Sequence, residues 1–371
     1  MIPVCEPFIG DKELEYAADC LKTNWISSTG KYIEEFEKGF ANYCSCKYGI
    51  ATTNGTTALH LAFASVGIGP GDEVIVPTFT MIATLFAVIY TGAKPVLVDA
   101  EPETWNIDVA KIEEKITPRT KAIMPVHIYG HPCDMNPIMK IAEKHNLYVI
   151  EDAAEAHGAE YRGRRTGGIG HMGCFSFYAN KIITTGEGGM VVTNDKVLDE
   201  KARSLKDLAH SRGRRFLHTD VAFNYRMTNV QAAIGVAQLE RIDELVKRRR
   251  AHAYLYNSLL GDIVGIKLPL EKDWAKNVYW MYSILIEDDF GLTRDELMGE
   301  LREREIDTRT FFIPMHQQPV FQNMGLFEGE SYPIAEELGG KGLYLPSGSG
   351  LTPEQIKHVC DAIAKIRKTN S

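Results

Sequence analysis

Ser176-Phe177-Tyr178-Ala179-Asn180-Lys181, with Thr184-Thr185-Gly186-Glu187-Gly188-Gly189 close behind it, decides how the chain is read. Residues 174–178 are aromatic and apolar enough for a buried strand, and that strand ends near a single lysine. The following run is too rich in glycine and threonine for a helix and must turn sharply before a second strand over 190–193. A lysine at the end of an apolar strand is partly desolvated, which favours its neutral, nucleophilic amine. Taken alone it reads as an ordinary surface lysine at a strand end. A second stretch changes that reading: Tyr148-Val149-Ile150-Glu151-Asp152 is a short apolar run ending in a carboxylate, followed by Ala153-Ala154-Glu155-Ala156-His157-Gly158.

Three chemical requirements meet in these stretches. An enzyme that uses pyridoxal 5'-phosphate (PLP) needs a lysine for a Schiff base, a carboxylate to keep the pyridine nitrogen protonated, and a cradle for the phosphate. Lys181 and Asp152 supply the first two, each at the end of an expected strand. Thr52-Thr53-Asn54-Gly55-Thr56-Thr57-Ala58-Leu59 supplies the third, as a small polar turn opening an apolar helix. Its backbone N–H groups and hydroxyls face an anion at the positive end of that helix. Each feature alone is weak, and a buried, paired aspartate in a structural role is the competing reading of Asp152. In this order along one chain, the three together are specific.

The composition fits a soluble enzyme. A chain of 371 residues can bury a large core and ordinarily holds two domains. A net charge of −8 argues against a nucleic-acid binder, whose domain would be basic, but leaves room for a local basic pocket. The seven cysteines (Cys5, Cys20, Cys44, Cys46, Cys133, Cys174, Cys360) are odd in number and widely spread, favouring reduced thiols in a cytoplasmic protein. Cys44-Ser45-Cys46 lacks a second Cys or His pair at a zinc-like spacing, so no metal site is expected. No basic segment followed by an apolar core opens the chain, so no signal peptide is expected. Residues 74–93 carry no charge, enough length to cross a bilayer. Pro77, four threonines and Gly92 argue instead for a buried strand over 74–76 and a buried helix over 81–90.

Working outward along the chain, residues 1–15 read as an arm broken by Pro3, Pro7 and Gly10. A helix over 12–22 places Leu14, Ala17, Ala18 and Leu21 on one face, and a second over 32–43 turns Ile33, Phe36 and Phe40 inward. A helix over 56–66 follows the Asn54-Gly55 turn, and Gly69-Pro70-Gly71-Asp72 is a turn. Strands over 95–98, 122–126 and 148–150, with a helix over 135–145, give the alternation of a mainly parallel sheet covered on both faces. Gly168-Ile169-Gly170-His171-Met172-Gly173 matches a dinucleotide fingerprint by letter but precedes a strand, so it is read as a turn. A helix over 196–208 leads to a polar loop, 209–220, carrying Arg212, Arg214 and Arg215. One long helix is expected over 229–260, with Lys247-Arg248-Arg249-Arg250 as a solvated face or a phosphate contact. Beyond it, a strand over 278–286 and helices over 293–303 and 353–368 form a small α+β unit.

This combination resembles the DegT/StrS-type sugar aminotransferases, PLP enzymes of the aspartate-aminotransferase fold that aminate keto groups on nucleotide-linked sugars. The resemblance runs through Trp25-Ile26-Ser27-Ser28-Thr29-Gly30 and the segments 69–77, 125–130, 151–158, 176–189, 224–228 and 314–319. The Trp25 segment and Phe223-Asn224-Tyr225-Arg226-Met227-Thr228 most resemble the perosamine-forming members. The resemblance implies an α/β fold: an N-terminal arm and PLP-binding large domain over 1–245, with a mainly parallel sheet covered by helices, and a small C-terminal α+β domain over 246–371.

The same resemblance implies roles. Lys181 carries the Schiff base and then shuttles a proton between the donor's Cα and the cofactor, and Asp152 pairs with the pyridinium nitrogen. Gly55, Thr56, Thr57 and Ser176 match phosphate-contacting positions. Asn224 matches one that reaches the phosphate from the neighbouring subunit, implying a homodimer with shared active sites. Glu155 falls near the cofactor's 3'-oxygen, an unusual place for a carboxylate. Met81 stands where many relatives carry an aromatic residue over the ring, a face that a thioether also covers. His316 resembles a position lining the sugar pocket and is equally a packed loop histidine. Trp25, Ser28 and Arg226 are candidates for the sugar or diphosphate, and Arg212 or Arg214 for clamping the diphosphate. The implied reaction is transamination of GDP-4-keto-6-deoxy-D-mannose to GDP-perosamine with L-glutamate as amino donor, without membrane or nucleic-acid partners. A UDP- or dTDP-linked keto sugar is the alternative substrate. A PLP-dependent sugar dehydratase is disfavoured by Lys181, where such relatives carry histidine. A non-catalytic regulatory protein is disfavoured by the presence of Lys181, Asp152 and the phosphate turn together.

Overall fold

The computed structural model describes residues 1–211, 213, 214 and 216–369, so Arg212 and Arg215 of the basic loop lie outside the described residues. Seven strands form the central sheet in the order Tyr48–Thr52, Gly189–Thr193, Met172–Ser176, Tyr148–Asp152, Thr120–Ile123, Glu73–Pro77, Lys94–Val98. Gly189–Thr193 runs antiparallel to both its neighbours, and the remaining adjacent pairs are parallel. Glu73–Pro77, Met172–Ser176 and Gly189–Thr193 are buried at every residue, so their centres are apolar, and polar residues such as Glu73, Ser176 and Thr193 stand at their ends. Helices such as Gly55–Ser65, Ala83–Tyr90 and Met135–His145 cover the faces. Tyr48–Thr52, Tyr148–Asp152 and Met172–Ser176 point the same way. Asp152, Ser176 and the start of Gly55–Ser65 therefore gather at one carboxyl edge, where open α/β sheets hold their ligands.

Several elements depart from expectation for identifiable reasons. The strand leading to the lysine is Met172–Ser176, shorter than read, and Lys181 sits past it in a turn closed by its own N–H on the carbonyl of Tyr178 at 2.9 Å. Phe177 N–H bonds Gly188 O at 2.8 Å and Phe177 O accepts from Thr185 N–H at 3.0 Å, which pinches off the loop between them. The long helix is two, Asn229–Leu239 and Ile242–Leu260. At the break, Glu240 accepts from Lys12 and Tyr16, and Arg241 pairs with Glu13, so the first helix pulls the junction toward itself. The same contacts rotate the helix Asp11–Thr23. It buries Glu13 and Cys20, while Leu14 and Leu21, expected inward, are 72% and 64% exposed.

A four-stranded antiparallel sheet, Ile266–Lys267, Tyr282–Ile286, Gly342–Leu345, Arg309–Thr310, carries the C-terminal part. Its core draws on Ala253, Tyr256 and Leu260 of the helix Ile242–Leu260 and on the helices Arg294–Glu303 and Pro353–Thr369. The N-terminal residues join it: Ile2 exchanges backbone hydrogen bonds with Glu305 and Asp307, and Ser347 N–H donates to Val4 O.

The basic run on the helix Ile242–Leu260 is neither a solvated face nor a phosphate contact at its third position. Arg249 is 2% exposed. Its guanidinium donates to Ser349 Oγ at 2.9 Å, to Trp280 O at 2.7 Å, to Ser347 O and to Cys5 Sγ at 3.3 Å. It thus ties the arm, the helix and two C-terminal loops together. Truncation leaves two buried carbonyls without that donor, so Arg249→Ala should lower stability by at least about 2 kcal/mol. Urea unfolding of the variant beside the wild type measures it, and a change within about 0.5 kcal/mol, the range of ordinary surface substitutions, would contradict it.

Candidate active site

A cavity of about 430 Å³ opens at the carboxyl edge of the large sheet. It brings together Gly55, Thr56, Met81, Asp152, Glu155, Ser176 and Lys181. A broad hollow of about 570 Å³ near His316 and Glu336 has no lysine among its lining residues.

The turn before Gly55–Ser65 is built by its own side chains. Asn54 Oδ1 accepts from Thr57 N–H at 2.9 Å, and Thr57 Oγ1 accepts from Asn54 N–H at 3.2 Å, a reciprocal helix cap. The amides of Gly55 and Thr56 take no part in this cap, and both residues line the cavity, leaving the helix end able to receive an anion. Thr57 spends its hydroxyl on the cap and does not line the cavity. Gly55 has no room for a side chain, since a Cβ there would stand 2.7 Å from Ser176 Cβ.

Asp152 ends its strand fully inside the protein. Its carboxylate accepts from Thr84 Oγ1 at 2.9 Å and from Ala154 N–H at 3.2 Å, and Thr80 pairs with Thr84 behind it. Burial raises its pKa above the ordinary carboxylate value, with the Thr84 hydroxyl and Ala154 N–H pulling the other way. Glu151, its neighbour in sequence, faces the opposite side of the strand and has a different task. It accepts from Gly167 N–H and Ile169 N–H at 2.7 Å and Gly170 N–H at 2.6 Å, which fixes the glycine turn. His127 Nδ1 accepts from Cys133 N–H at 3.0 Å, so its Nε2–H donates to Glu151 at 2.9 Å. Burial opposes the Glu151 charge, but the His127 bond and the glycine amides outweigh it and hold the group below its ordinary value.

Lys181 and Glu155 form the reactive corner. Burial pushes the Lys181 amine down from 10.5, against the pull of Glu155 and Asp152 toward the charged form. Burial also pushes Glu155 up from 4.5 to about 7, opposed by Lys181 and by the N–H of Tyr129, which donates to its Oε2 at 2.8 Å. Desolvation dominates both groups, so each is biased toward neutrality. Lys181 Nζ lies 3.8 Å from the centre of the Trp280 ring.

The remaining sequence candidates lie elsewhere. Asn224 is exposed, on a segment whose neighbour Tyr225 accepts from Thr53 N–H at 3.0 Å, next to the Asn54-Gly55 turn. Arg226 is paired with Asp207. Trp25 is 56% exposed and its carbonyl accepts from Asn229 at 2.7 Å, while Ser28 is half-buried in the same loop. His316 is buried between Thr78 Oγ1 at 2.9 Å and Glu336 at 3.1 Å. Arg214 is exposed and Arg212 is outside the described residues. Trp280 and Phe312 of the C-terminal part also line the cavity and were not singled out, because roughly a hundred or more residues separate them from Lys181 and no local pattern links them. Thr80 and Thr84 were legible in principle: threonines in an uncharged apolar stretch need buried partners.

Glu155 makes stability depend on pH. A carboxyl raised on folding keeps its proton where the unfolded chain has lost it, so its contribution falls as pH rises from 4.5 to about 7. In the cofactor-free protein, Glu155→Gln should flatten this part of the profile. Urea midpoints at pH 5 and pH 7.5 for the two proteins test it; an unchanged difference between the two pH values would contradict it.

Comparison with known proteins agrees with this geometry. Residues 7–364 match the DegT/DnrJ/EryC1/StrS aminotransferase family. The GDP-perosamine synthase of Caulobacter vibrioides is 48% identical over 366 residues, covering 98% of each chain. That of Escherichia coli O157:H7 is 46% identical over 362 residues, covering 98% of this chain and 97% of its own. The crystal structure of DesV from S. venezuelae superposes with a TM-score of 0.90 at 39% identity, covering 96% of this chain and 94% of that one. With its sheet order, its lysine at the carboxyl edge and a family match over nearly its whole length, the chain belongs to the DegT/DnrJ/EryC1/StrS aminotransferase family.

Proposed function

We propose that the protein is a PLP-dependent aminotransferase that converts GDP-4-keto-6-deoxy-D-mannose to GDP-perosamine, with L-glutamate as amino donor. The observation that carries the reading is the cavity holding a desolvated lysine, a buried aspartate and an open helix end within one wall set. Identity of 48% and 46% to two GDP-perosamine synthases over nearly full length supports the substrate.

The residues fit the cofactor. The helix end at Gly55 and Thr56, with Ser176 against it, would hold the phosphate, and the closeness of Ser176 to Gly55 explains why that position carries no side chain. Asp152 would pair with the ring nitrogen, where a cation would restore its charged form despite burial. Met81 would cover a ring face, and Glu155, protonated below about pH 7, can donate a hydrogen bond to the phenolic oxygen. When bound, the cofactor supplies a protonated pyridine ring that accepts the electron pair left at the donor's Cα. Lys181 Nζ, pushed toward its neutral form by burial, would take the proton from that carbon. Trp280 and Phe312 wall the cavity beside the amine and would limit its exposure to water once the cofactor fills that space. We also read the large unit as 1–245 and the small one as 246–371, the second core starting on the helix Ile242–Leu260.

A homodimer completes this reading. Leu14, Leu21, Trp25 and Ile26 are each at least half exposed, an apolar surface that a second copy would cover, and Asn224 is free of its own cavity. Mixing Lys181→Ala chains with Asn224→Ala chains should restore activity, because one hybrid site then holds both intact residues. Heterodimers that form without rescue would show that each site is built from one chain.

Incubation with GDP-, UDP- and dTDP-linked keto sugars plus glutamate, read by product mass, tests the substrate. kcat/KM for GDP-4-keto-6-deoxy-D-mannose should exceed that for the dTDP-linked 4-keto-6-deoxy-glucose by at least about tenfold, because a mismatched base leaves buried polar groups unpaired. Lys181→Ala should show no turnover, and borohydride should fix the cofactor to the peptide containing Lys181. Equal rates for the two sugars would overturn the substrate, and label on another lysine would overturn the site.

A further inference from the structure

Trp280 belongs to the C-terminal part of the chain yet forms a wall of the lysine's cavity. It is 4% exposed. The indole centre stands 3.8 Å from Lys181 Nζ. Its Nε1–H donates to the carbonyl of Asn180, the residue before the lysine, at 2.9 Å. Its own N–H donates to Tyr129 O at 3.0 Å, and Tyr129 N–H in turn donates to Glu155. Its carbonyl accepts from the buried Arg249 at 2.7 Å, so the backbone that carries the indole is held from behind. Tyr129 and Tyr279, on the two sides of this seam, both adopt positive φ, 54° and 47°, a conformation kept only where surrounding contacts enforce it.

We propose that Trp280, anchored by Arg249, is the positioning residue of Lys181: its indole shields the ε-amine from water and holds the Asn180–Lys181 backbone, so the C-terminal part governs the state of a lysine carried by the large sheet. The proposal deepens the reading of Lys181 as the reactive amine and rests on it. The groups that face the amine are Asp152 and Glu155 from the strand Tyr148–Asp152 and its following turn, and Cys5 from the arm. All three favour the charged amine, and burial outweighs them. His157, pushed down to about 3 by burial among aromatic rings, is neutral and does not compete. The indole face also attracts a cation; shielding from water acts in the opposite direction, and an upward shift of the midpoint on removing the ring is the outcome that the shield requires.

The test reads the amine directly in the full-length, cofactor-free protein. Acylation of Lys181 by acetic anhydride is followed by peptide mass spectrometry between pH 6 and 11. Labelling at pH 8 is expressed relative to its high-pH plateau. Trp280→Leu admits water and should lower that ratio at least about threefold, through an upward shift of the midpoint. Trp280→Phe keeps an apolar ring but loses the bond to Asn180. It should shift the midpoint less and raise the plateau rate, because the lysine segment is released. Unchanged midpoint and plateau in the folded variants overturn the proposal, and if the leucine variant does not fold the phenylalanine variant decides by the same criterion. Because no cofactor takes part, this outcome is independent of borohydride labelling, so failure of the proposal and failure of the Lys181 assignment are distinguishable.

Discussion

Desolvation at the carboxyl edge of the sheet is the constraint on which the site depends. Lys181, Asp152 and Glu155 are ionisable groups placed together on the wall of one cavity, Asp152 and Glu155 buried and Lys181 half-buried, where partial exclusion of water pushes each toward its neutral form. In water, the three would be a salt-bridged patch with no reactive amine. The fold supplies the exclusion through strands buried along their whole length, and through aromatic side chains from a distant part of the chain.

Keeping such groups buried requires that the polar atoms around them be satisfied, and the structure does this at a distance. Glu151 takes three backbone amides and His127, which stiffens the glycine turn before the lysine strand and leaves its neighbour Asp152 to face the cavity. Thr80 and Thr84 do the same from the helix side. Arg249 performs the largest such task, joining the arm, the C-terminal loops and the backbone of Trp280 with one buried guanidinium. Its charge is solvated by backbone carbonyls and a hydroxyl, in place of water.

Membership in the aminotransferase family accounts for the order of these parts along the chain. The parallel strands bring the Asn54-Gly55 turn, Asp152 and Ser176 to one edge because each strand ends there, and ligands of open α/β sheets bind at such edges. The antiparallel strand Gly189–Thr193 returns the chain beneath the lysine turn, and close packing at Gly189, where a Cβ would lie 2.2 Å from Asn54 O, joins that turn to the one at Asn54-Gly55.

The alternation of apolar runs with helical periodicity determined, from sequence alone, a mainly parallel sheet covered by helices. Local chemistry likewise marked Lys181, Asp152 and the Asn54-Gly55 turn, because a strand end or a helix cap is written in adjacent residues. Side-chain facing was less legible. Periodicity turns Leu14 and Leu21 inward, yet ion pairs from Glu13 and Glu240 to residues over two hundred positions away rotate that helix outward. The basic run containing Arg249 reads as solvated or phosphate-binding, since charge runs carry no record of the carbonyls that will meet them. Only the tertiary structure decided that Trp280 covers the lysine and that Thr57, His316 and Arg226 are engaged elsewhere. Such pairings depend on how separately folding segments dock, and docking is set by whole surfaces, which no local pattern contains.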